Sequence, residues 1–215
     1  MTEEKIITDL KETVLNYDVK KAKELVTECI EKNTDIMKCI AALTDGIHVV
    51  GDGFGRGELF LPSLIGAARV LEVTMPVLND ALKKQGKESS SLGKVVIGTV
   101  FGDVHCIGKN MVATLLTAEG FEVIDLGINI KAEQFVEKAC EVDAQLLALS
   151  ALLTATMAEQ ENVIRLLNNA GIRDKVKVIV GGGPVTSSYA DKIGADGYES
   201  TAIGAAKLAR KILNK

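Results

Sequence analysis

Apolar positions change their period near residue 88, and that change divides the chain into two kinds of structure. Before it they recur every three or four residues. Ile6, Leu10 and Val14 share one helical face, as do Ala22, Leu25 and Cys29, with Ile30 at the margin. Ile36, Ile40, Leu43, Ile47 and Val50 form a third stripe, and Leu64, Ala68, Leu71, Met75, Leu78 and Leu82 a fourth. Stripes of this period bury one face of a helix against its neighbours. Four helices with short connections predict a small bundle. Pro62 suits the first turn of the last helix, where its missing N–H costs nothing. Pro76, in mid-pattern, predicts a kink or an interruption.

After residue 88, short β-branched runs alternate with amphipathic stretches. Strands are predicted over 95–100, 122–126, 146–149 and 176–180, with a short one near Gly197; helices are predicted over roughly 108–119, 131–140, 157–169, 186–193 and 201–213. The strand runs are almost continuously apolar, as they are when helices cover both faces of a parallel sheet. The expected fold class is therefore α/β: a four-helix bundle over residues 1–88, then a Rossmann- or flavodoxin-like, doubly wound, five-stranded parallel sheet over 89–215. The junction, Gly86-Lys87-Glu88-Ser89-Ser90-Ser91, has the composition of a linker, and residues 86–93 are the candidate hinge.

Composition narrows the function. Hydrophobic residues make up 47% of the 215 and charged residues 25%, an ordinary globular balance. The net charge of −4, with no cluster of Lys and Arg, argues against nucleic acid as a partner. No apolar stretch reads as a membrane span, and the N-terminus lacks the basic start and apolar core of a signal peptide, so a cytoplasmic protein is expected. Cys29, Cys39, Cys106 and Cys140 show no C-x-x-C spacing and are expected as reduced, mostly buried thiols.

In an open parallel sheet, ligands bind beyond the carboxyl ends of the strands where the strand order reverses, between the first and third strands of a flavodoxin-like order. The unusual polar residues fall in those two loops. The first holds Gly102-Asp103-Val104-His105-Cys106-Ile107-Gly108, the second Ser150-Ala151-Leu152-Leu153-Thr154-Ala155-Thr156, and Gly181-Gly182-Gly183 follows the fourth strand at the same edge. A carboxylate two residues from an imidazole can fix its tautomer and raise the basicity of the far nitrogen, which suits a metal ligand or a general base. One His and one Asp are too few for a closed zinc site, so a bound metal would bring other ligands with it. Gly108 is expected to ease the turn into the next helix. His48, alone on a helix, reads as structural.

The set Asp103-x-His105-x-x-Gly108, Ser150-x-Leu152 and Gly181-Gly182 resembles the signature of the cobalamin-binding domain of methyltransferases and mutases. The segment Val50-Gly51-Asp52-Gly53-Phe54-Gly55-Arg56-Gly57-Glu58-Leu59-Phe60-Leu61-Pro62 resembles the helical cap of methionine synthase and of small corrinoid proteins. The resemblance runs from about residue 5 to 213; it departs at Cys106, where many relatives carry aspartate. It implies a corrinoid bound base-off and His-on, with His105 as the lower cobalt ligand, Asp103 bonded behind it and Thr156 completing the relay. Ser150, Leu152 and Thr154 would line the nucleotide tail's crevice, with Gly181 and Gly182 making room; Phe54, Leu61 and Leu64 would cover the upper corrin face.

The same resemblance implies a methyl carrier that has no substrate site of its own and no separate catalytic residue. Its partners would be a substrate:corrinoid methyltransferase, a second methyltransferase acting on a thiol or a tetrahydropterin, and a reductive activase. Methanol, methylamines, betaines and methoxylated aromatics all remain open as the donor. A cobalamin-binding sensor, a mutase cofactor subunit and a receiver-like domain without cobalamin are the rival readings.

Overall fold

The computed structural model describes residues 2–85 and 91–213. It divides into two compact units, one from residues 1–91 with 117–120 and the other from 92–116 with 121–215. Residues 86–90 of the expected linker, and so most of the expected hinge, lie outside the described residues.

The first unit is built from α1 (Glu3–Leu15), α2 (Val19–Glu31), α3 (Ile36–Gly55) and α4 (Leu61–Lys84). Asp18 and Asp35 start α2 and α3 by accepting from the N–H groups of Lys21 and Met37, which satisfies donors that the first helical turn leaves free. The stripes are buried as the periodicity predicts, with two exceptions. Ile30 is exposed, because Val26 takes the inward place on α2. Met75 is half-buried, and Thr74 is buried in its place, its hydroxyl donating to the Val70 carbonyl.

Helix α4 corrects the sequence reading twice. It runs unbroken through Pro76. Both Pro76 and Glu72, whose carbonyl loses its helical partner there, are exposed, so water can take the lost bond. Its 24 residues are also long and apolar enough, by length and composition, to cross a membrane. The helix is nonetheless two-faced: Leu64, Ala67, Leu71, Leu78 and Leu82 are buried, while Arg69 and Glu72 pair at 2.8 Å on the outside. Cys29 and Cys39 are buried free thiols with their Sγ atoms 3.0 Å apart; Cys106 is half-buried and Cys140 exposed.

The second unit alternates strand and helix: β1 (Lys94–Thr99), α5 (Ile107–Ala118), β2 (Glu122–Asp125), α6 (Ala132–Val142), β3 (Leu146–Ser150), α7 (Ala158–Asn169), β4 (Lys177–Gly181), α8 (Ser187–Ile193), β5 (Gly197–Tyr198) and α9 (Ala202–Ile212). The five strands are all parallel, in the order β2-β1-β3-β4-β5. One sheet face packs Val96, Leu147, Leu149, Val178 and Val180 against Phe135, Val163, Leu167 and Ile193 of α6, α7 and α8. Side chains alternate along a strand, so Ile97, Ala148 and Ile179, which pair across β1, β3 and β4, lie on the other face. The order reverses between β1 and β3, and the site lies there.

Candidate functional site

Beyond Thr99 the chain turns sharply: Asp103 N–H donates to the Val100 carbonyl at 3.2 Å, and Gly102 between them takes a φ of +79°. The turn drives Asp103 inward, where its side chain has no exposed surface. Its carboxylate is nearly saturated. Oδ1 accepts from the His105 backbone N–H at 3.1 Å and faces His105 Nδ1 at 2.7 Å. Oδ2 accepts from Leu152 N–H at 2.7 Å, Leu153 N–H at 3.2 Å and the Thr156 hydroxyl at 2.8 Å. Burial pushes the Asp103 pKa up, but the hydrogen bonds from His105, Thr156 and Leu152 outweigh it and hold the carboxyl well below the ordinary carboxylate range. Asp103 therefore stays anionic and acts as an acceptor throughout.

With Nδ1 engaged, Nε2 is the ring nitrogen left to coordinate, on a side chain that is 47% exposed. His105 stands at the rim of a crevice of about 690 Å³ between the sheet and helices α5 and α9. The row Ile97, Ala148 and Ile179 contributes to its depth, with Met111 and Val112 from α5 and Ala205 and Leu208 from α9. Ser150 and Gly181 pair two positions further along their strands, about 7 Å nearer the mouth at 3.3 Å per residue. The crevice is thus lined mainly by apolar residues, with exposed Val104, Ile107 and Leu152 among them.

The glycines play different parts. A Cβ on Gly182 would lie 1.7 Å from the Ala151 carbonyl oxygen, and its φ is +130°, so only glycine fits where the β3 and β4 loops touch. Gly181 and Gly108 also line the crevice, and a Cβ on either would meet nothing within 4 Å. For Gly108 this corrects the sequence reading: it is the second residue of α5 with no positive φ, and what its missing side chain leaves is open space.

The structure brings His105, Gly108, Ser150, Leu152, Gly181 and Gly182 together around the crevice, with Asp103 and Thr156 behind His105. Thr154 is exposed and does not line the crevice. In the helical unit, Phe54 and Leu61 are half-buried, but Leu64 has no exposed surface and in this conformation is a core residue. Sequence reasoning passed over the segment from Tyr198 to Thr201, which lines the crevice from the end of β5 and the turn after it. Its signal was its place at the same carboxyl edge. Lys109, buried and paired to Asp125, was also missed.

Comparison with known proteins bears on this site. Two family models match, each described as a B12 binding domain, one over residues 93–207 and the other over 6–79. A corrinoid protein of Desulfitobacterium hafniense is 43% identical over 98% of both chains. The trimethylamine corrinoid protein 1 of Methanosarcina acetivorans is 42% identical over 99% of both. Among solved structures, the methanol:cobalamin methyltransferase complex MtaBC of Methanosarcina barkeri superposes with a TM-score of 0.84 at 28% identity, covering 99% of this chain and 81% of that one.

Proposed function

The chain belongs to the B12-binding family in both its helical and its α/β unit, and from that premise we propose that it carries a methyl group on the cobalt of a corrinoid held base-off by His105. One observation carries the reading: an imidazole locked by a buried carboxylate leaves a single nitrogen free at the mouth of a deep apolar crevice.

The donor set fits such a group. Among the described residues there is no cluster of three or more His, Cys, Asp or Glu side chains able to hold a metal. A cobalt held at His105 would therefore bring most of its ligands with it, as a macrocycle does. Open space at Gly108 and Gly181 receives a tail that side chains would block. When bound, the corrinoid supplies the cobalt chemistry of methyl uptake and release; the protein supplies ligation, orientation and exclusion of water. Asp103, held by Thr156 and two backbone N–H groups, keeps the His105 ring oriented and its Nδ1 proton in place, which raises the basicity of Nε2.

The methyl donor, on this reading, is a small methylated compound of the kind named in its relatives, trimethylamine in one and methanol in another. The partners would be a substrate:corrinoid methyltransferase and a second methyltransferase acting on a thiol or a tetrahydropterin. A reductive activase would be a third, and the setting would be the cytoplasm. In the helical unit, Phe54 and Leu61 are the half-buried apolar residues that would shield the methyl face.

The test is reconstitution with hydroxocobalamin, wild type against His105→Ala, followed by absorbance and by electron paramagnetic resonance of the cobalt(II) form. The expected result is an axial-nitrogen splitting that changes on ¹⁵N-histidine labelling in the wild type and not in the variant. Identical spectra from the two proteins would overturn His105 as the ligand.

A further inference from the structure

The Asp103 carboxylate ties the His105 loop to the segment that follows β3. The opposite side is held by the segment between β2 and α6, which no motif singles out. Asn129 adopts a φ of +57°, a left-handed conformation that asparagine tolerates better than most residues. From it, Asn129 grips the loop twice. Its Oδ1 accepts from Gly102 N–H at 2.8 Å, and its own N–H donates to the Asp103 carbonyl at 3.0 Å. These bonds bracket the turn that sends the Asp103 carboxylate inward.

The neighbouring bonds make the grip rigid. Thr99 N–H donates to the Gly127 carbonyl and Ile130 N–H to the Thr99 carbonyl, both at 3.0 Å. The Thr99 hydroxyl donates to the His105 carbonyl at 2.8 Å. Asp125 accepts from Gly127 N–H at 2.8 Å through Oδ1, and its Oδ2 pairs with the buried Lys109 in the first turn of α5. The β2–α6 segment is thereby tied to both ends of the loop that carries His105.

We propose that Asn129 is a positioning residue for cobalt ligation, setting the height and tilt at which His105 meets the metal. This rests on the reading of His105 as the ligand. The Asp103 side chain fixes rotation of the ring, whereas Asn129 fixes the backbone from which Asp103 and His105 both hang. Ligation tolerates little displacement, so a loop freed on one side leaves more of the bound corrinoid without its histidine.

Three substitutions separate the elements of the grip. Asn129→Asp keeps both an acceptor for Gly102 N–H and a tolerated left-handed backbone. Asn129→Gly keeps the backbone conformation and loses the side-chain acceptor. Asn129→Ala loses both. Each reconstituted holoprotein is measured by the nitrogen splitting of cobalt(II), read as the ratio of histidine-off to histidine-on cobalt, beside its melting temperature and the amount of corrinoid retained. Loss of one such hydrogen bond shifts that ratio about fivefold. The expected order of histidine-off cobalt is Asn129→Ala above Asn129→Gly, with Asn129→Asp near wild type. A histidine-on fraction in Asn129→Gly equal to wild type, whatever its melting temperature, overturns the proposal, because Asn129 then only stabilises the fold. A wild type that shows no histidine nitrogen overturns this inference together with the reading beneath it, whereas failure of the Asn129 series alone leaves His105 in place.

Discussion

Adjacent glycines, Gly181 and Gly182, answer to different demands, and exchanging each for alanine separates the fold from the ligand. In Gly182→Ala the new Cβ starts 1.7 Å from the Ala151 oxygen, so the β3 and β4 loops must part by more than an ångström. Parting them strains the Ala151 N–H to Gly181 carbonyl bond of 3.0 Å, and with it the Gln160 amide that spans the Leu149 and Gly181 carbonyls at 2.9 and 3.1 Å. A lost bond costs about 1 kcal/mol, a positive φ on alanine about 1–2 kcal/mol and the overpacking about 1–3 kcal/mol. The sum, about 3–6 kcal/mol, lowers the melting temperature by roughly 6–24 °C in a chain of this size. In Gly181→Ala the Cβ meets nothing, so stability stays within about 0.5 kcal/mol. That Cβ still lines the crevice, and corrinoid retention falls, further in Gly181→Leu. Thermal melting of the apoproteins by circular dichroism, paired with corrinoid bound per chain after gel filtration, reads both effects. If Gly182→Ala melts with the wild type, the loop contact is wrong. If Gly181→Leu keeps full corrinoid, the crevice does not hold the tail.

The remaining predictions concern the relay. Asp103→Asn, which keeps the shape and removes the charge, costs about 2–3 kcal/mol by weakening charge-assisted bonds; chemical denaturation measures it. Because the folded Asp103 carboxyl titrates below its unfolded value near 3.9, the unfolded chain takes up the proton first. The stability Asp103 supplies is present above about pH 4 and is lost as pH falls toward the folded value. Acidification from pH 6 to 3 should thus cost the wild type more than Asp103→Asn, and equal losses would show that the carboxylate is not held down. Thr156→Ser, which keeps the hydroxyl, should leave the histidine-on fraction close to wild type. Thr156→Val removes a donor to Asp103 and should raise histidine-off cobalt severalfold, read by the same paramagnetic splitting.

The architecture was legible because it is written in local periods. Three- and four-residue stripes mark α1 to α4, and apolar runs between amphipathic stretches mark β1 to β4 almost residue for residue. The switch-point rule then led to the loops that line the crevice. What was misjudged depends on the surroundings of a residue rather than on its type. Pro76 lies inside α4 without interrupting it, and both it and Glu72, the residue whose carbonyl loses its partner, are exposed. Leu64 and Phe54 look alike as apolar positions, yet one is enclosed and the other is not. The grip of Asn129 on Gly102 spans 27 positions, and no local pattern marks it.

The glycines make the point most sharply. A glycine in a sequence states only that a side chain is missing, and the reason for its absence lies in what stands opposite. At Gly182 that is a carbonyl oxygen, and the glycine serves the chain. At Gly108 and Gly181 it is open crevice, and no neighbour within the chain requires the glycine. A site of this kind is legible as a set of loops but not as a set of roles. The loops follow from topology, while the roles follow from which neighbours are protein and which are ligand. That distinction is the one the paired substitutions at Gly181 and Gly182 measure.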